Sequence, residues 1–309
     1  MTNYKRILVG LDLSLMDRSI INYVSFLSKW IQPDKIYFIH ATDSPEVTGM
    51  MEGLDLNLIM PKDEELINEL KEEVEQFFDS SDNIDIEFAI KPNSPATEIL
   101  DFASNKNIDL LVVGKKKELK GKGIAAQQIV RRIQCSVVFI PEKPKMRLNE
   151  ILVCNDFSNF SKLAMGEAIL LAQINPDATI FCEHVFHIPE KKYRPDMSTA
   201  AFKQLILDHS AKKYNECISE IDTKDVHITP MFTPDNDWPI VQVIKDMAHR
   251  KHVDIIIIGS KGKSTESTIF IGTTAEKMTR VDFGCPLLIV KKKEEEFNFA
   301  NIMKAVTDL

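Results

Sequence analysis

Directly after a run of four isoleucines, residues 259–274 read GSKGKSTESTIFIGTT. The spacing is Gly259, two residues, Gly262, nine residues, Gly272, and then Thr273 and Thr274. Glycines placed just past a strand let backbone N–H groups approach an anion closely. Gly272 opens a helical pattern that continues to residue 280, so an anion here would also meet a helix N-terminus. The hydroxyls of Ser260, Thr273 and Thr274 are donors, and Lys261 and Lys263 add positive charge. The chemistry these residues suggest is the capture of phosphate. A glycine-bearing loop with no ligand is the plain alternative. Two look-alikes fail. Gly262-Lys263-Ser264 resembles the end of a P-loop, but that motif needs another glycine where Ile257 stands. A dinucleotide fingerprint is also absent, since neither half has GxGxxG after its first strand.

The loop is one part of a duplicated pattern. KRILVGLDLS (5–14) recurs as NEILVCNDFS (149–158), and IYFIHA (36–41) as IFCEHV (180–185). IDLLVVG (108–114) recurs as VDIIIIG (253–259), and CSVVFIPEK (135–143) as CPLLIVKKK (285–293). Asp12 thereby aligns with Asp156 and His40 with His184, each 144 positions on. Four matches in one order indicate two tandem domains, 1–146 and 147–309, rather than a solenoid. Their apolar runs are short, continuous and rich in Val and Ile, as parallel strands covered on both faces are. Helical patterns lie between them at 17–30, 62–78, 160–174, 197–221 and 238–251. Ser94-Pro95 and Asp237-Trp238-Pro239 read as helix starts. The expectation is an α/β fold of two doubly wound domains, each with a five-stranded parallel sheet flanked by helices. Such sheets bind ligands outside the carboxyl ends of their strands, at the topological switch point. Asp12 and Asp156 sit just past their first strands, at that place.

Composition sets outer limits. The chain has 309 residues, 44% hydrophobic and 27% charged, with a net charge of −8. An acidic balance argues against nucleic acid and anionic membranes as partners. With no leader-like opening and no apolar run long enough to span a bilayer, a cytoplasmic protein is expected. Cys135, Cys154, Cys182, Cys217 and Cys285 form no CxxC pair and read as small buried hydrophobes.

The glycine spacing after the fourth strand, with ILVxxDxS at the first, resembles the universal stress protein family over essentially the whole chain, twice. The resemblance implies pairing through the last strands, here 136–140 and 286–290, which would make the chain a pseudo-dimer. It also implies ATP binding where the glycine motif is complete. By position, Asp156 would lie near the nucleoside and any Mg2+. The backbone of Val185 would meet the adenine edge. Gly259, Ser260, Gly262, Gly272, Thr273 and Thr274 would hold ribose and phosphates.

The first half departs from the motif. After Gly114 stands Lys117 where a glycine is needed, and no Gly-Thr or Gly-Ser pair opens the next helix. Gly114 to Cys135 is 21 positions against 26 from Gly259 to Cys285, a loss of five. Lys115, Lys116, Lys117, Lys120 and Lys122 read as a solvated basic loop on a pseudo-site, with Asp12 a remnant.

Other residues carry plainer expectations. His40 and His184 match in both halves and suit packing or capping. His249 and His252 suit a helix end or the surface. Glu266 is the loop's candidate to position a metal or water, with a solvent-facing carboxylate as the default. The methionine-rich segment 43–61 would cover its own core or a partner, residues 291–296 would be a solvated charge run, and 297–309 a docking tail. No nucleophile, base and orienter stand together, so dedicated catalysis is not expected. The leading function is an ATP-binding regulatory or sensor module in stress response, with an unknown protein partner and homodimer formation open. The alternatives are a weak metal-dependent ATP hydrolase and a nucleotide-independent dimerisation scaffold.

Overall fold

The computed structural model describes residues 4–42, 63–79, 84–116, 123–189, 198–262 and 271–292. The segments 43–61, 263–270 with Glu266, and 293–309 lie outside the described residues, as do Lys117, Lys120 and Lys122.

The first repeat runs β1 (Arg6–Leu11), α1 (Leu15–Ile31), β2 (Lys35–Thr42), α2 (Asp63–Phe77), β3 (Asp85–Pro92), α3 (Pro95–Asn105), β4 (Leu110–Lys115), α4 (Gly123–Arg132) and β5 (Ser136–Pro141). The second runs β6 (Glu150–Cys154), α5 (Asn159–Ile174), β7 (Thr179–Phe186), α6 (Thr199–Ser219), β8 (Ile228–Pro234), α7 (Ile240–Arg250), β9 (Ile255–Gly259), α8 (Thr273–Met278) and β10 (Leu287–Val290). The alternation forces parallel pairing inside each repeat, because a helix must carry the chain back between strands.

The repeats do not form two separate sheets. One ten-stranded sheet runs β3-β2-β1-β4-β5-β10-β9-β6-β7-β8. Its single antiparallel junction joins β5 to β10, with Leu287 opposite Phe139 and Ile289 opposite Val137. Both cores cross that junction. On one face α1, α2, α5 and α6 cover Val9, Val112, Val153 and Ile257. On the other, α3, α4, α7 and α8 cover Leu8, Leu111, Leu152 and Ile256. Strands buried on both faces need apolar side chains at every position, which is why the sequence shows runs and not alternation.

The duplicated aspartates in IDLLVVG and VDIIIIG tie each repeat's first strand down. Asp109 accepts from the backbone N–H groups of Lys5 and Arg6 at 2.9 and 2.7 Å. Asp254 is fully buried and does the same for Asn149 and Glu150 at 3.1 and 3.2 Å. It also takes Arg147 Nε at 2.7 Å, which anchors the linker between repeats.

Two helix starts differ from expectation. Ser94 stands at the N-cap of α3, but its side chain makes no capping bond. Asp237 is not the cap of α7. Pro239 is, while Asp237 takes a left-handed φ of 64°. Two basic residues also differ. Lys115 is not a solvated loop residue. Its ammonium reaches across the junction to the carbonyls of Met278, at 3.1 Å, and Val281. Lys291 reaches the other way, to the carbonyls of Val130 and Ile133 at 2.6 and 2.7 Å. Each lysine thus stands on carbonyls at or just past the end of the other repeat's last helix, where a cation is favoured. Burial lowers both to about 8.

Candidate functional site

In the second repeat the chain crosses from β8 back to β9, on the far side of β6, so β6 and β9 flank the switch point. A cleft of about 510 Å³ opens at their carboxyl ends. Asp156, Val185, Gly259, Ser260, Gly262, Gly272, Thr273 and Thr274 all line it, so the eight residues singled out in the sequence come together. Its opposite wall is apolar, with Ile240 and Ile244 of α7 beside Cys154, Ile258 and Ile271.

The glycines have different jobs. A Cβ on Gly259 would stand 2.5 Å from the carbonyl oxygen of Phe160, so this glycine lets the first turn of α5 pack on the strand end. The N–H of the next residue, Ser260, donates to Val290 O in the sheet. Gly259 therefore serves helix packing as well as lining the cleft. Gly114 does the same against Met16 and Ile20 in the first repeat, which explains its retention there. Gly262 belongs to the cleft: a Cβ on it would stand 2.6 Å from Asp156 Oδ2. Gly272 closes the loop by donating to Ser260 O at 2.7 Å, and a Cβ on it would stand 3.3 Å from Lys261 Cα.

The turn carrying Asp156 is locked from several sides. Asp156 Oδ1 accepts from the Ser158 N–H at 3.0 Å, and Ser158 caps α5 through the Ser161 N–H. Phe157 holds a left-handed φ of 63° and packs its ring 4.4 Å from that of His184, tilted by 40°. His184 Nδ1 bonds Asn155 O at 2.8 Å, and His40 Nδ1 bonds Leu11 O at 3.1 Å at the matching place. Both histidines hold the turn after the first strand. Lys261 lies over the Phe160 ring.

Among the cleft residues not singled out in the sequence, one is acidic. Glu183 stands in β7 where the first repeat has Ile39, and it is 1% exposed. Among the described residues neither carboxyl oxygen has a hydrogen bond of good geometry. Burial pushes its carboxyl above the usual range, with the smaller opposing pulls of Thr233 and Arg250.

The corresponding corner of the first repeat is closed by an internal cation. Lys116 donates to Asp12 Oδ2. Burial pushes the Asp12 carboxyl up, and hydrogen bonds from Lys116 and Ser14 more than offset that, so it ionises below its ordinary range. Lys261 holds the matching position in the second repeat, where it and Asp156 both line the cleft.

Away from the cleft floor, His187, Asp235 and Asp237 bring ligand atoms within 4.8 Å of one another. All five cysteines are buried and none forms a disulfide. Among the described residues no helix is long and apolar enough to cross a membrane.

Fold and cleft together define a tandem doubly wound α/β protein with a cleft at the switch point of its second repeat. The model of the universal stress protein family matches residues 3–141 and 148–291, and the chain belongs to that family. A universal stress protein from Archaeoglobus fulgidus shares 16% identity over 94% of this chain and 99% of its own, with a TM-score of 0.62. A functionally unknown protein from Pseudomonas aeruginosa shares 13% over 98% of each chain, with a TM-score of 0.59. A universal stress protein solved in complex with cAMP matches 46% of this chain at 16% identity, with a TM-score of 0.33. No curated protein matches the chain.

Proposed function

We propose that the second repeat binds one adenine nucleotide, ATP with Mg2+, and that the chain acts as a cytoplasmic regulatory or sensor module in stress response. The observation that carries this reading is the fit of Gly262 against Asp156. Only a residue without Cβ leaves that carboxylate where it is, at the mouth of a cleft rimmed by Thr273 and Thr274. The cleft is polar at the loop and apolar along α7, which suits a phosphate at one end and a flat base at the other. Asp156 is the carboxylate at hand to hold a Mg2+ against phosphate oxygens, since that ion prefers oxygen ligands. Val185 would meet the base, and Ser260, Gly272 and Thr273 the sugar and phosphates. In the first repeat the Lys116–Asp12 ion pair already satisfies the matching carboxylate, so that repeat serves as the partner domain.

The test is to denature purified protein and identify what it releases. One adenine nucleotide per chain supports the reading, and none from a protein that also fails to take up added ATP refutes it in favour of a scaffold. Release of phosphate from bound ATP, lost in Asp156→Ala, would instead identify the hydrolase.

A further inference from the structure

We infer that His187, Asp235 and Asp237 form a second site, which binds a transition-metal ion such as Zn2+ at the carboxyl ends of β7 and β8. The sheet itself builds it. β7 and β8 are parallel, and their last paired residues are Phe186 and Pro234. The next residue of each strand is therefore His187 beside Asp235, with His187 Nδ1 2.8 Å from Asp235 Oδ2. The strand ends hold Asp235 in place. Its N–H donates to Phe186 O, its carbonyl accepts from the Trp238 N–H, and its Oδ1 accepts from the Asp237 N–H.

The side chain of Asp235 is only 13% exposed, whereas His187 is 58% exposed. One ligand is thus fixed and another is free to adjust. The three ligand atoms lie within 4.8 Å of one another. Bonds of about 2.0–2.2 Å from Zn2+ to imidazole nitrogen and carboxylate oxygen need ligand atoms spaced roughly 3–4 Å apart. Small side-chain rotations supply that, with His187 and Asp235 opening slightly and Asp237 closing. One imidazole and two carboxylates favour Zn2+, Mn2+ or Co2+ over Mg2+, which avoids nitrogen. Three protein ligands leave at least one coordination position for water or for a group from elsewhere.

The experiment is a Zn2+ titration of the full chain, stripped with chelator, by calorimetry, with Co2+ absorption as a second readout. The expected result is one strongly bound Zn2+ per chain and no competition from millimolar Mg2+. His187→Ala and Asp237→Ala are expected to weaken Zn2+ by more than ~10-fold and to abolish the Co2+ spectrum. His249→Ala, in the last turn of α7, is the control and should leave both unchanged. Zn2+ should also raise the melting temperature of the wild type but not of His187→Ala, which shows that the variant folds and lacks the site. Absence of Zn2+ binding, or binding that survives His187→Ala undiminished, would overturn the inference.

Discussion

The carboxylate of Asp156 rests against the bare α-carbon of Gly262, so close that a Cβ there would sit 2.6 Å from Oδ2. Ser158, the N-cap of α5, holds the carboxylate from behind through its N–H, and the glycine holds the front.

Gly262→Ala should separate binding from stability. The atom it displaces is the end of one side chain, so the fold gives way cheaply, by less than about 1 kcal/mol. The carboxylate must move, and ATP affinity should fall. Calorimetric titration beside a denaturant melt reads both. Unchanged affinity would remove Gly262 from the site.

Gly259→Ala should do the reverse. Its Cβ would strike the Phe160 backbone at 2.5 Å, and backbone cannot rotate away. Overpacking of this kind costs about 1–3 kcal/mol. Urea unfolding should show the loss, and an unaltered midpoint would contradict the packing role.

Two glycines of one motif thus differ in a way their spacing does not reveal. The four repeated segments, the strand runs and the glycine loop could be read from the sequence because apolar runs and glycine spacing follow local geometry, whereas Val185 entered only through the family resemblance. Other features depend on which strands become neighbours. Lys115 and Lys291 read as loop charges because the helix ends they meet lie about 160 residues away in the chain. His187 and Asp235 meet only through the β7–β8 register, 48 positions apart. Glu183 hides in an apolar run that still reads as a strand.

Glu183→Ile restores the residue of the first repeat and removes a buried carboxyl group that lacks a hydrogen bond of good geometry among the described residues. The variant should be more stable by about 1–3 kcal/mol. The gain should grow with pH, because burial favours the neutral acid in the folded chain alone. Denaturant melts at acidic and alkaline pH test it, and a less stable variant would show that Glu183 has a partner in solution.

Glu167 on α5 points to a further pH effect. Burial raises its carboxyl to about 7, against a smaller lowering by the Tyr4 hydroxyl. Between about pH 4.5 and 7 the folded chain keeps a proton the unfolded chain has lost, so stability falls as pH rises through that window. Asp17, also raised to about 7 mainly by burial, acts in the same direction. Glu167→Gln should flatten the fall by on the order of 2–3 kcal/mol without abolishing it. Unfolding free energies at both ends of the window give the slope, and an unchanged slope would contradict it.

Asp254→Ala should destabilise more than a surface change, by about 3–5 kcal/mol, because two strand N–H groups and Arg147 lose their acceptor together. Thermal unfolding measures it, and a shift within the range of surface substitutions would show that the linker is held by other contacts.

On the proposed function, duplication has left one nucleotide site and not two. Equilibrium dialysis of the full chain against labelled ATP and Mg2+ tests it most directly. The prediction is one ATP per chain for the wild type and greatly weakened binding for Asp156→Ala. Two ATP per chain, or binding that survives Asp156→Ala intact, would contradict it.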